Sequence, residues 1–297
     1  MSFERVPPVT LESDAAVNEL YDYFEPRDSD SRLTAVAFPL LAMIYAPRLV
    51  YPKGVGELIT DHMEHGGQIA LALDHTYGDD HVKWGGATWR GPLHRMWRHS
   101  DIMAKPVLLD EHPALSLLLA NVGVIPVIRS QDVANPRFGG VEKWGDKPSQ
   151  EIWQRHELAT RRAIQTGTIH LNRGNSHGSH VGGRRRDPDN PTPIPTKSIK
   201  PGLFEMILDA DDPDNIMLLA GALHKGGRYF RRSVMALSGP IEHQATAEEF
   251  KEPIAVAMQQ CREVAELIAS NQRPAVIRPL TKPILDMALK ALKSAKT

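Results

Sequence analysis

Short aliphatic runs that stop at polar or glycine-rich breaks alternate along this chain with stretches of helical periodicity. The clearest run is Gln68-Ile-Ala-Leu-Ala-Leu73, which ends abruptly at Asp74. It predicts a buried strand that delivers its last residues to a sheet edge, where α/β proteins put their chemistry. Residues 102–108 read as another extended segment, and residues 112–121 as a short helix closed by Gly123. Val124-Ile-Pro-Val-Ile128 reads as a β-branched strand ending at Arg129. Ser149 suits the N-cap of a helix running to about Thr166 with Gly167 as its stop, after which Thr168-Ile-His-Leu171 predicts a strand. Residues 172–196, rich in glycine and proline and carrying Arg184 to Arg186, predict a long loop. Beyond it residues 202–210 read as helix, 215–223 as extended and 233–237 as a strand. Thr246 and Glu249 form a capping-box pattern that opens a long helix through Ala255, Met258, Val264 and Ile268.

The ends of the chain read as helices. Val17, Leu20, Tyr21 and Phe24 fall at helical spacing, and residues 33–45 predict a second helix. Lys282, Lys290, Lys293 and Lys296 punctuate an apolar helical pattern over residues 280–296. Such a pattern fits either an anionic lipid surface or the solvated edge of a docked helix. Strands alternating with helices throughout argue an α/β fold, a mixed central sheet flanked by helices with an N-terminal helical segment. The expected division is residues 1–55 for that segment, which could face a membrane, and residues 56–297 for one α/β domain.

Composition narrows the partners. With 297 residues and 41% apolar content, the chain can bury one large core or two modest ones, and one domain with an added helical segment is expected. Its 35 basic residues against 36 acidic ones give no global electrostatic reason for a nucleic-acid partner. The single cysteine, Cys261, rules out an intrachain disulfide framework, and its place in a helical pattern suggests a packed thiol in a reducing compartment. The start Met1-Ser-Phe-Glu-Arg-Val-Pro lacks the pattern of a secretory signal. Residues 33–50 carry Pro39 and Pro47 and fall short of the roughly 20 apolar residues that span a bilayer. A cytoplasmic protein follows, with peripheral contact at the inner face of the membrane open to it.

The candidate chemistry lies just past the run ending at Leu73. On a continuous helix His75 and Asp80 would point about 140° apart, but Gly78 suggests a turn. In a turn Asp80 can accept from His75 Nδ1 and leave Nε2 free as a general base. The series Asp74-His75-Thr-Tyr-Gly-Asp-Asp80, Lys105, Gly123-Val-Ile-Pro-Val-Ile-Arg129, a loop after a strand, and Lys200-Pro-Gly202 resembles the glycerolipid acyltransferase family. That family includes lysophosphatidate and glycerol-3-phosphate acyltransferases. The resemblance covers roughly residues 60–242 and ends at Ser238-Gly-Pro240, which looks like the family's late strand and turn.

The resemblance implies an acyltransferase domain in which His75 deprotonates an acceptor hydroxyl and Asp80 holds the imidazole. The acyl group would come from acyl-CoA or acyl carrier protein as co-substrate, with no cofactor and no metal. Lys105 and Arg129 would grip the phosphate of a lysophospholipid or glycerol phosphate acceptor, a guanidinium fork suiting phosphate oxygens. The family's third motif, Phe-Pro-Glu-Gly-Thr-Arg-Ser, corresponds to Leu171-Asn-Arg-Gly-Asn-Ser-His177, where only Gly174 is kept and Arg173 replaces the acid. Arg173 and Gly174 are then the expected remnant of the acceptor loop, and Arg184 to Arg186 read first as a solvated surface run, with an anion such as an acceptor headgroup or a phosphate of coenzyme A as the alternative. The fourth motif would fall near Leu218 and Leu219, without its proline.

Two rival readings differ in class. His75, Asp79, Asp80 and His81 could ligate a metal in a hydrolase, but Tyr77 stands where a second histidine ligand would be needed. A fold that kept its shape but lost the third motif could instead bind lipid without catalysis. His94, His99, His170, His177 and His180 have no comparable partner spacing and read as structural or surface residues, and Trp84, Trp89 and Trp97 as packing residues.

Overall fold

The structure, a computed structural model, describes residues 47–74, 100–102, 150–182, 194–224 and 233–270. Within them the elements run β1 (Arg48–Val50), α1 (Val55–Glu64), β2 (Gln68–Leu73), β3 (Ser100–Ile102), α2 (Gln150–Asn172), β4 (Ser176–His180), α3 (Gly202–Leu208), β5 (Ile216–His224), β6 (Val234–Leu237) and α4 (Lys251–Ser270). The six strands form one sheet in the order β1-β6-β5-β2-β4-β3. β3, β4, β2 and β5 are mutually parallel, β6 runs antiparallel to β5, and β1 runs parallel to β6. This is the expected mixed α/β sheet. β1 belongs to it although it lies ahead of residue 55, where the boundary of an N-terminal segment was expected.

β2 is buried along its whole length, as a central strand flanked by parallel neighbours must be. Ala70 and Ala72 share one face with their register partners Leu218 and Ala220 of β5. That face packs on Leu203, Phe204 and Ile207 of α3 and on Ile254 and Met258 of α4. Phe204 stacks on Phe250 with ring centroids 5.0 Å apart, joining α3 to the approach of α4. Further along, Ala222, Val234 and Ala236 meet Cys261, Ala265 and Ala269 of α4. Small residues on both partners let the helix lie close to the strands. Ahead of α4 the expected capping box forms: Thr246 N–H donates to Glu249 Oε2 at 3.1 Å, and Glu249 N–H to Thr246 Oγ1 at 3.4 Å.

The region around α2 corrects the sequence reading. The helix passes through Gly167 and takes in Thr168 to Leu171, which are not a strand. Gly167 serves close packing instead, since a β-carbon there would overlap the sulfur of Met206 on α3. The helix stops at Gly174, whose φ of 82° is left-handed. Gly174 N–H donates to Leu171 O at 2.8 Å and Asn175 N–H to His170 O at 3.3 Å, the bond pattern of a Schellman cap.

The true strand, β4, lies inside the stretch expected to be a loop. Its sequence, Ser-His-Gly-Ser-His, carries no aliphatic residue, yet Ser176, His177 and Gly178 are buried. Side chains satisfy backbone groups at its start: Ile69 N–H donates to Ser176 Oγ at 2.9 Å, and Gln68 Nε2 donates to the carbonyls of Leu171 and Asn175, each at 2.7 Å. α1, which the sequence reading did not single out, precedes β2 and buries Val55 and Ile59. The extended segment beyond Ile102, the helix over 112–121, the strand over 124–128 and the helices at both ends of the chain lie outside the described residues.

Candidate functional site

Four parallel strands put their carboxyl ends on one edge of the sheet, and β2 is central among them. From β2 the chain moves toward β3 on one side, whereas from β5, its other neighbour, it moves to β6 on the opposite side. Connections that diverge from adjacent parallel strands leave a crevice outside their carboxyl ends, the usual ligand position in open α/β sheets. That switch point falls between Leu73 and Gly221, which are partners in register.

Three chain segments are laced together there. The N–H of Asp74 donates to Gly221 O at 2.9 Å, the N–H of Val181 to Leu73 O at 3.1 Å, and the N–H of Lys200 to Val181 O at 2.8 Å. Asp74 is only 3% exposed, so a carboxyl group is held at the end of the central strand, immediately ahead of His75 in the chain. Gly221 has no room for a side chain without crowding, since a β-carbon would stand 3.0 Å from Leu73 Cδ2 and 3.1 Å from Leu237 Cδ2. The bare backbone at this position lets β5 close against both neighbours.

Two histidines flank this point. His180 ends β4 opposite Leu73, and His224 ends β5 three residues beyond Gly221. Burial lowers the pKa of half-buried His224, opposed by Glu266 and assisted by Arg262. Sequence reasoning passed over His224, although its place as the polar terminus of a long apolar strand was a usable signal.

His75, Asp80, Lys105 and Arg129 lie outside the described residues, as do Asp79 and His81 of the metal reading. Arg173 and Gly174 are described, and they stand in the turn between α2 and β4. Because β4 is parallel to β2, that turn is at the amino edge of the sheet, whereas Asp74 is at the carboxyl edge. The five-residue strand β4 and its flanking residues separate the two levels, on the order of 20 Å. The structure therefore does not bring Arg173 and Gly174 to the end of β2, and the glycine is accounted for by capping. What arrives at the carboxyl edge from β4 is Val181 and Gly182, both buried. Gly183 and Arg184 to Arg186 follow directly in the chain. A glycine pair leading into three arginines was the signal for a strand end, masked by the polar composition of β4.

His170, His177 and Cys261, which the sequence reads without a catalytic role, are buried. His170 and His177 are fully buried with ring centroids 6.0 Å apart, and His170 Nε2 lies 3.1 Å from Ser176 O. Burial, with His170 adding to it, lowers the pKa of His177 to about 3, so the ring is neutral across the ordinary pH range. Cys261 is buried and its thiol is pushed up to about 12 by desolvation, which removes the thiolate needed for nucleophilic chemistry. Among the described residues no three His, Cys, Asp or Glu side chains gather as metal ligands. No described helix is long and apolar enough to cross a membrane. Compared with known proteins, the chain matches no protein family and no curated protein.

Proposed function

We propose that the chain is an O-acyltransferase that moves a fatty acyl group from a thioester donor to the hydroxyl of a phosphorylated glycerolipid-type acceptor. The observation that carries this reading is the end of β2: a buried central strand stops at Asp74, at the switch point of the sheet, and the next residue is His75 of the His-x-x-x-x-Asp pattern. His75 Nε2 takes the proton of the acceptor hydroxyl, and Asp80 orients the ring and offsets the imidazolium charge. The acceptor oxygen forms a bond to the thioester carbonyl carbon, the carbon–sulfur bond breaks, and the departing thiolate takes the proton from His75. No covalent enzyme intermediate is needed.

In this reading the acceptor phosphate is held by Lys105 and Arg129, joined by the arginines that follow β4 in place of Arg173. The support for that substitution is the edge at which each segment meets the sheet. A lysophospholipid acceptor is drawn from a bilayer surface, so the proposal includes peripheral membrane contact.

The test is thiol release from long-chain acyl-CoA with and without lysophosphatidate or glycerol 3-phosphate. Acceptor-dependent release by the wild type, lost by at least about a hundredfold in His75→Ala, is the expected result. Arg129→Ala should raise the acceptor KM far more than the donor KM. Release that survives in His75→Ala, or that no acceptor stimulates, would remove the proposal.

A further inference from the structure

The outer face of α4 is only partly covered among the described residues. Val256, Val264 and Leu267 fall within roughly 80° of one another around the helix and form a stripe along it. Leu267, 63% exposed, and Val256, 52% exposed, are the two most exposed large apolar side chains among the described residues. Scattered apolar residues on a surface need no explanation, but three aligned over about three turns of one helix do. Beside the stripe lie Glu252, Glu263 and Glu266, all exposed. The helix offers no exposed cation to balance them, because Lys251 is paired with Glu248 and Arg262 is buried. The face is therefore apolar along its middle and acidic along one side.

The chain that follows α4 has the opposite character. From Asn271 to Thr297 there are six basic side chains and one acidic one, in a protein of net charge −1. Over residues 284–296 the spacing gathers Ile284, Ala288, Ala291, Leu292 and Ala295 within about 100° of helical arc and leaves Lys290, Lys293 and Lys296 outside it. The thirteen residues 271–283 that join this segment to α4 reach about 40 Å when extended, more than the roughly 30 Å length of α4 itself. Every part of the stripe is within that reach. Sign then selects among the other coverings. A second copy of the same face would set acid against acid, an anionic bilayer would be repelled, and the amphipathic stretch over residues 10–24 carries four acids and no base.

We propose that the outer face of α4 is the docking surface for the chain's own C-terminal segment, residues 284–296, which lies on Val256, Val264 and Leu267 as an amphipathic helix. Apolar contact supplies the seat, and attraction of the lysines to Glu252 and Glu263 supplies the choice of partner. Glu266 adds to the same field, although part of its influence falls on His224. The assignment is independent of the acyl-transfer reading.

Hydrogen exchange of the full chain, read by mass spectrometry on peptides covering residues 284–296, tests it, and peptides from β2 report whether each variant is folded. In the wild type the segment should exchange at least about tenfold more slowly than a free peptide of the same sequence, and the protection should fall in about 0.5 M salt. Val264→Asp/Leu267→Asp should remove the protection while β2 keeps its own. Glu252→Lys/Glu263→Lys should weaken it, and adding Lys290→Glu/Lys293→Glu/Lys296→Glu to that variant should restore it. A wild-type segment that exchanges like the free peptide overturns the docking, and so does protection that survives Val264→Asp/Leu267→Asp. Protection indifferent to the glutamate reversal, or not rescued by the lysine reversal, also overturns it. Protection that vanishes on dilution as a dimer dissociates, or that is gained only with phosphatidylglycerol vesicles, would overturn it in favour of a second copy or a bilayer.

Discussion

Gly167 of α2 and Met206 of α3 are packed so closely that the glycine has no space for a β-carbon beside the methionine sulfur. Met206 is buried at 3% exposure, so it has little room to swing away. This contact explains a glycine in the interior of a long helix, where the residue ordinarily costs about 1 kcal/mol relative to alanine.

Gly167→Ala should therefore destabilise the protein despite its better helix propensity. Overpacking of about 1–3 kcal/mol outweighs the propensity gain and leaves a net loss near 1 kcal/mol. Chemical denaturation measures it. In a Met206→Ala background the same change should become neutral or favourable, and a loss of equal size in both backgrounds would remove the contact as the cause.

Gly174 offers a sharper separation of structure from function. With φ at 82° it caps α2, so Gly174→Ala should cost about 1 kcal/mol of stability. Because the cap is at the amino edge of the sheet, the acceptor KM should not move in Gly174→Ala or in Arg173→Gln. An acceptor KM raised tenfold by either variant would return the phosphate site to this turn.

His177 sets part of the acid limb of stability. Its folded pKa of about 3 lies below the ordinary 6.5, so between those values the unfolded chain binds a proton that the native state refuses. Stability then falls as pH falls through that window, by up to about 1.4 kcal/mol per unit. His177→Leu should abolish this contribution and gain about 2 kcal/mol on the wild type between pH 8 and pH 5, read from urea unfolding at the two pH values. Parallel pH dependence in the two proteins would show that another group controls the limb.

Much of the fold is legible where apolar residues announce their own burial. β2, β5, β6 and α4 all occur close to where their aliphatic patterns put them, and Thr246 with Glu249 forms the cap that their spacing predicts. β4 was illegible because it is buried without being hydrophobic: Ser176 and Gln68 satisfy backbone groups with side-chain bonds that no local pattern encodes. Gly167 misled for a related reason. A glycine that ends a helix and one that admits a neighbouring helix look alike until the neighbour is known.

The sequence by itself determined the α/β class, the apolar strand that ends at Asp74, and the residues that follow it in the chain. Local periodicity and turn chemistry suffice for that, because each depends on neighbours a few positions away. Only the tertiary structure decided which ends share an edge. Parallel pairing of β2 with β4 carries Arg173 and Gly174 to one side of the sheet and brings Val181, Gly182 and Lys200 to the other. That choice is made by hydrogen bonds between residues about a hundred positions apart, such as Gln68 with Leu171 and Ile69 with Ser176. Nothing in the order of the amino acids displays such a pairing until the chain has folded.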